Sequence, residues 1–231
     1  MSIASASFVG FTPDAIQFLA DLAENNERAW FQPRKADYER LLKDPLERLC
    51  EAVDGRFRAR RIPLQADMRR SPFRIYRDTR FSRDKSPYKT NVAASFPWTE
   101  DGHGGHGGTD NPGGYFHLAP GEVFVGGGMW HPSPGKLAAF RRSVADDPAA
   151  IRGLLDDPTF ATRFGPLSGD KLTRPPRGYP ADHPEVELLK HRDITFGVRL
   201  ADEDVLSARL PDVVADVLAD AVPFMRYLAR L

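Results

Sequence analysis

The sequence predicts an α+β fold: a central, largely antiparallel sheet of about five strands, with helices from both termini packed around it. Two observations predict it. Apolar residues recur at helical spacing near both ends of the chain, whereas segments alternating at period two cluster in the middle. Strands grouped together and helices grouped on either side argue against a regular βαβ alternation, and hence against a parallel sheet.

Phe11-Thr12-Pro13-Asp14 opens the first helix. Thr12 suits the cap, Pro13 the first helical position and Asp14 the positive end of the dipole. Phe11 and Ile16 hold the positions of a hydrophobic staple. Ile16, Leu19, Leu22 and Ala23 form the stripe, and Asn25-Asn26 ends it. A second helical pattern runs from Pro33 to Val53. Pro45 lacks an N–H, so Asp44-Pro45 reads as the cap and first residue of a new helix. Gly55 to Arg70 has no clean period.

Five strands follow: Phe73–Arg77, Thr90–Pro97, Tyr115–Ala119, Glu122–Gly127 and Asp193–Leu200. Thr99 to Gly114 is rich in glycine and reads as a mobile surface loop. Pro120-Gly121 suits a type II turn, which is not the usual tight-hairpin type, so a wider loop is expected there. Helices start near Ser133 and after Pro148, a helical turn or two runs from Val186 to Lys190, and a tail from Glu203 to Leu231 bends at Pro211 and Pro223. No internal repeat is seen. A single domain, 1–231, is expected, with an N-terminal helical part (1–55), a strand-rich part (70–130) and a mostly helical C-terminal part (131–231).

Composition narrows the class. At 41% hydrophobic and 28% charged residues, the chain of 231 residues can build a full core and is not disordered throughout. The one cysteine, Cys50, excludes an intramolecular disulfide. No apolar run approaches a membrane span, and the N-terminus carries no basic-then-apolar leader, so a cytoplasmic, membrane-free protein is expected. Net charge is zero, yet it is unevenly spread. From Arg56 to Thr90 twelve basic side chains stand against three acids, a surplus of nine.

The surplus is densest in Phe73 to Lys89, F-R-I-Y-R-D-T-R-F-S-R-D-K-S-P-Y-K. Folding alone does not ask for crowded cations, because they repel and are rarely buried unpaired. Arg74, Arg77, Asp78, Arg80, Phe81, Lys85 and Tyr88 follow the pattern R, two residues, R-D, one residue, R-F, three residues, K, two residues, Y. This resembles the signature of a bacterial and fungal family of conserved hypothetical proteins carried as a domain of unknown function. The resemblance extends to Phe8–Thr12 and Gly114–Met129, and implies no activity.

Candidate ligand-binding residues are Arg74, Arg77, Asp78, Arg80, Lys85, Tyr88 and Lys89, joined by Gly127 and Gly128 of the Gly126-Gly127-Gly128 run. Guanidinium forks and an ammonium can clamp phosphate or carboxylate, and successive glycines let a backbone approach an anion. The competing account pairs these cations with acids elsewhere, such as Asp202, Glu203, Asp204, Asp212 and Asp216. Asp78 orients its arginine neighbours rather than serving as a base, because nearby cations acidify it. His103 and His106 lack the partners of a zinc site, and His117 and His131 read as structural. Neither a metal nor a cofactor is implied.

The first reading is a small phosphorylated or carboxylated ligand, bound by an enzyme or a sensor; whether any reaction follows is open. The second is nucleic acid, with Tyr76, Phe81 and Tyr88 stacking on bases; it ranks lower because the chain has no overall positive charge. The third makes the motif architectural and the function one of protein contacts.

Overall fold

The computed structural model describes residues 7–100 and 110–231. Four strands form one antiparallel sheet among these residues: β1 (Val92–Pro97), β2 (Gly113–Ala119), β3 (Glu122–Met129) and β4 (Ile194–Arg199), in that spatial order.

The fifth expected strand, Phe73–Arg77, is not one. Among the described residues its strand-like pairing is limited to two isolated bridges, Pro72 with Ala94 and Tyr76 with Tyr88. The bridges lie four positions apart on one side and six on the other, so a regular ladder cannot run through. Pro72 and Pro87 also lack the N–H that a continuous ladder would need. What remains is a broken hairpin, in which Phe73 donates to Ala93, Lys89 to Ile75 and Arg77 to Pro87.

Alternation along the strands separates two faces. Val92, Ala94 and Phe96 of β1 lie with Phe116 and Leu118 of β2, Val123 and Val125 of β3, and Ile194 and Phe196 of β4. All of these are buried. Helices from both ends cover this face. Phe11, just before α1 (Pro13–Glu24), stacks on Phe116 at 6.2 Å. Phe57 meets Phe96 edge-on at 5.5 Å, Phe160 meets Phe196 at 5.7 Å and Phe224 meets Phe196 at 6.1 Å. Gly114 leaves room for the Leu218 side chain, which a β-carbon would approach to 2.8 Å. The glycine-rich stretch therefore ends earlier than its composition suggested: Gly113 and Gly114 are strand residues, while 101–109, with His103 and His106, lie outside the described residues.

Helix caps follow the local chemistry. Thr12 accepts from Ala15 N–H, and Pro13 and Asp14 occupy the first turn of α1. The buried stripe is Ala15, Phe18, Leu19 and Leu22, rotated slightly from the one expected, with Ile16 partly buried. Short segments α2 (Arg28–Phe31) and α3 (Lys35–Tyr38) lead into a π-helical turn, Glu39–Lys43, and then α4 (Asp44–Arg60).

Pro45 thus does not start a separately capped helix. The wide turn absorbs its missing N–H, and helical backbone continues through it. The helix also runs past Val53, burying Phe57 before ending at Arg61 in the left-handed region (φ 55°).

The later helices are α5 (Pro134–Asp146), α6 (Pro148–Leu155), α7 (Pro158–Phe164), α8 (Val186–Leu189), α9 (Asp202–Val205), α10 (Leu210–Asp220) and α11 (Val222–Ala229). The expected bends at Pro211 and Pro223 are full breaks, with each proline in the first turn of a new helix. The loop after β2 is narrower than expected: Ala119 pairs with Glu122 across two residues, and Gly121 supplies the positive φ (70°) that the turn needs. No helix among the described residues is long and apolar enough to cross a membrane.

Candidate functional site

The basic loop is organised by its own acids. Asp78 accepts from Arg80 Nε at 3.0 Å, from Arg80 Nη2 at 2.6 Å and from the Arg80 backbone at 3.2 Å. The side-chain bonds, then the backbone bond, pull its carboxyl down to about 2. At that acidity Asp78 is a poor base at neutral pH. Asp84 accepts from Ser86 Oγ at 2.6 Å and pairs with Arg77, and the Ser86 hydroxyl and then Arg77 hold its pKa well below the usual range. Lys85 Nζ donates to the Thr79 carbonyl at 2.8 Å.

The distant acids have other partners. Asp212 accepts from Arg56 at 3.2 Å and Arg60 at 3.0 Å, and Asp216 pairs with Arg60, joining α10 to α4. Acids thus meet these cations in two places: Asp212 and Asp216 of α10 at Arg56 and Arg60, and the segment's own Asp78 and Asp84 inside the loop.

Arg74, Arg83 and Lys89 form no ion pair among the described residues. Of these, Lys89 is only partly exposed. Its ammonium lies 5.0 Å from the centre of the Phe73 ring, and burial, then the nearby Arg74, lower its pKa.

Lys89 opens on a polar cleft of about 320 Å³ that includes Arg77, Asp84, Ser86, Thr90 and Asn91. Its far wall is the end of α1, where Asn26 bonds the backbone of Tyr88 twice. The Asn26 amide donates to the Tyr88 carbonyl at 3.0 Å and its carbonyl accepts from Tyr88 N–H at 3.0 Å. The Tyr88 ring points the other way. It is buried and stacks on Phe31 at 4.1 Å.

The structure thus divides the expected set. Arg77, Tyr88 and Lys89 meet at the cleft, with Arg74 close enough to act on Lys89. Asp78, Arg80 and Lys85 brace the exposed part of the loop. Gly127 and Gly128 do not line the cleft. A β-carbon on Gly127 would strike the Gly113 carbonyl, and one on Gly128 the Ile194 carbonyl, so close strand approach accounts for both glycines.

Two features have no counterpart in the motif. The first is the sheet face opposite the helices. There Tyr115 and His117 of β2 lie beside Phe124 of β3, and Phe73 of the broken hairpin stands 6.1 Å from Tyr115. His117 stacks on Phe124 at 4.9 Å and Tyr115 on Phe124 at 5.7 Å. Alternate aromatic residues on β2 were the sequence signal for this row.

The second is His131, whose backbone is left-handed (φ 52°). Its N–H and Nδ1 bond the buried Asp193 carboxylate at 2.7 and 2.9 Å, and Trp130, largely exposed, stacks on its ring at 4.1 Å. A positive φ on a residue other than glycine cannot be read from sequence.

Neither curated proteins nor solved structures contain a match to this chain. A family model does match, over residues 14–227, and by that span the chain belongs to the conserved hypothetical protein family DUF2461.

Proposed function

We propose that the cleft beside Lys89 binds a small phosphorylated or carboxylated molecule, and that the R-R-D-R-F-K-Y pattern from Arg74 to Tyr88 is the signature that builds it. The observation that carries this reading is Lys89, a partly buried ammonium without a carboxylate partner among the described residues. A cation taken out of water without a counter-ion costs stability, and an anion entering the cleft removes that cost. Arg77, already oriented by Asp84, is the second donor, and Ser86, Thr90 and Asn91 supply neutral hydrogen bonds. The reading assigns binding and no reaction. Catalysis at these residues, if any, would act through cations meeting developing negative charge.

Thermal melting with and without inorganic phosphate tests it. Phosphate at a hundredfold excess over Kd should stabilise the wild type by about 2.7 kcal/mol. Lys89→Met keeps the aliphatic stem over Phe73 and removes the charge. It should melt no lower than wild type in phosphate-free buffer and gain nothing from phosphate. An unresponsive wild type, or a variant that gains as much as wild type, overturns the reading.

One observation favours nucleic acid as a second reading. Phe81 is 95% exposed, with the Arg80 guanidinium 5.9 Å from its ring centre, and Arg83 follows it. An unpacked ring beside cations suits stacking on a single-stranded base. Binding to an oligonucleotide that weakens steeply with salt and is lost in Phe81→Ala would support it.

A further inference from the structure

We propose that the molecule held by the cleft is a nucleotide: its phosphate sits at Lys89 and Arg77, and its base lies on the aromatic row of the open sheet face. This rests on the anion-cleft reading and adds the class of ligand to it.

The argument is one of continuity. Lys89 and Asn91 belong both to the cleft and to the row. Lys89 stands over Phe73, the first ring, at 5.0 Å. Asn91 Nδ2 reaches His117 Nδ1, at the other end of the row, at 3.4 Å. From the cleft, the rings follow in order: Phe73, Tyr115 at 6.1 Å, then Phe124 and His117. An anion at Lys89 therefore has a planar apolar surface beside it, one ring away.

The ring contacts to the helices fall elsewhere. All the helix contacts described above fall on the other face of the sheet. Phe73 is 44% exposed, and Tyr115, His117 and Phe124 are half-buried. Gly126 lies directly across from Tyr115, with Gly197 next to it, so no side chain rises beside the rings on that side. A half-buried aromatic row bordered by glycines has the shape to take a flat ring.

The polar groups within the row suit a base more than a plain hydrocarbon. Asn91 Nδ2 and Tyr115 Oη (3.3 Å) both meet His117 Nδ1. Tyr115, Asn91 and His117 together present donors and acceptors at the margin of the stacking surface, as heterocycle recognition requires. Cations at one end and rings along the remainder match a phosphate joined through a sugar to a base.

Calorimetric titration of the full chain with inorganic phosphate, ribose 5-phosphate and adenosine monophosphate tests the proposal. Stacking should make adenosine monophosphate bind about tenfold tighter than ribose 5-phosphate. Tyr115→Leu and Phe124→Leu keep apolar bulk but remove a flat ring at a distance from Lys89. They should erase that preference while inorganic phosphate still binds, which also shows that the variants are folded. Equal affinity of wild type for the two sugar phosphates overturns the nucleotide proposal and leaves the anion cleft standing. Absence of binding by all three overturns both. A single-stranded oligonucleotide bound far tighter than adenosine monophosphate, with a steep salt dependence, overturns the single-nucleotide proposal in favour of a longer strand.

Discussion

Asn26→Ala offers the sharpest test of how the cleft is built. The Asn26 amide stands where a neighbouring strand would be, bonding both the N–H and the carbonyl of Tyr88 at 3.0 Å each across 62 residues of sequence. Alanine removes both partners at once. Tyr88 is buried, so its backbone groups find water poorly, and each polar group left unmade costs about 1–3 kcal/mol. The cleft is wet on one side, so the lower half of the combined range applies, about 2–4 kcal/mol. For a chain of this size, 1 kcal/mol shifts the melting temperature by about 2–4 °C, so a fall of roughly 4–16 °C is expected. Asn26→Asp refines the test. A carboxylate still accepts from Tyr88 N–H but faces the Tyr88 carbonyl with no donor, so it should recover only part of the loss. Urea unfolding at pH 7, with hydrogen exchange at the Tyr88 amide, supplies the two readouts. A loss under about 0.5 kcal/mol in Asn26→Ala, with that amide still protected, would refute the reasoning.

Two further outcomes follow from the sheet and from the histidine corner. Gly126→Ala places a β-carbon on the Phe196 carbonyl of the neighbouring strand, and should lower the urea midpoint by the equivalent of about 1–3 kcal/mol; an unchanged midpoint would show that the strands can part at no cost. Asp193 is a pH probe. Burial raises its pKa, but the bonds from His131 N–H, Asp170 N–H and the His131 ring outweigh burial and leave it below the ordinary value. A carboxyl depressed in the folded state contributes its full stability above the unfolded value, about 3.9, and loses it as pH falls through the folded value. The stability difference between wild type and Asp193→Asn, measured from pH 5 to pH 2, should therefore shrink only below about pH 4. A difference independent of pH across that range would refute the assignment.

Sequence alone determined whatever is settled over a few residues. Thr12-Pro13-Asp14 started α1, Pro148 started α6, and alternation placed β1 to β4 within a few residues of where they lie. The motif likewise marked the loop that forms one side of the cleft.

Only the tertiary structure decided what depends on partners far along the chain. Phe73 to Arg77 alternates like a strand, yet the bridges at Pro72 and Tyr76 are out of step and no ladder forms. Pro45 looked like a helix start, but packing of residues on both sides of it favoured a π-helical turn over a break. Within the motif, spacing could not say which cation would meet an acid. Arg77 and Arg80 found Asp84 and Asp78 inside the loop, whereas Lys89 was carried to the cleft without one. Tyr88 shows the reason in one residue. Its place in the pattern suggested a ligand contact, but Phe31 and Asn26, brought from the N-terminal helices, hold its ring in the core and its backbone at the cleft. Charge and periodicity are local properties of a chain, whereas burial and pairing are properties of what the fold brings alongside it.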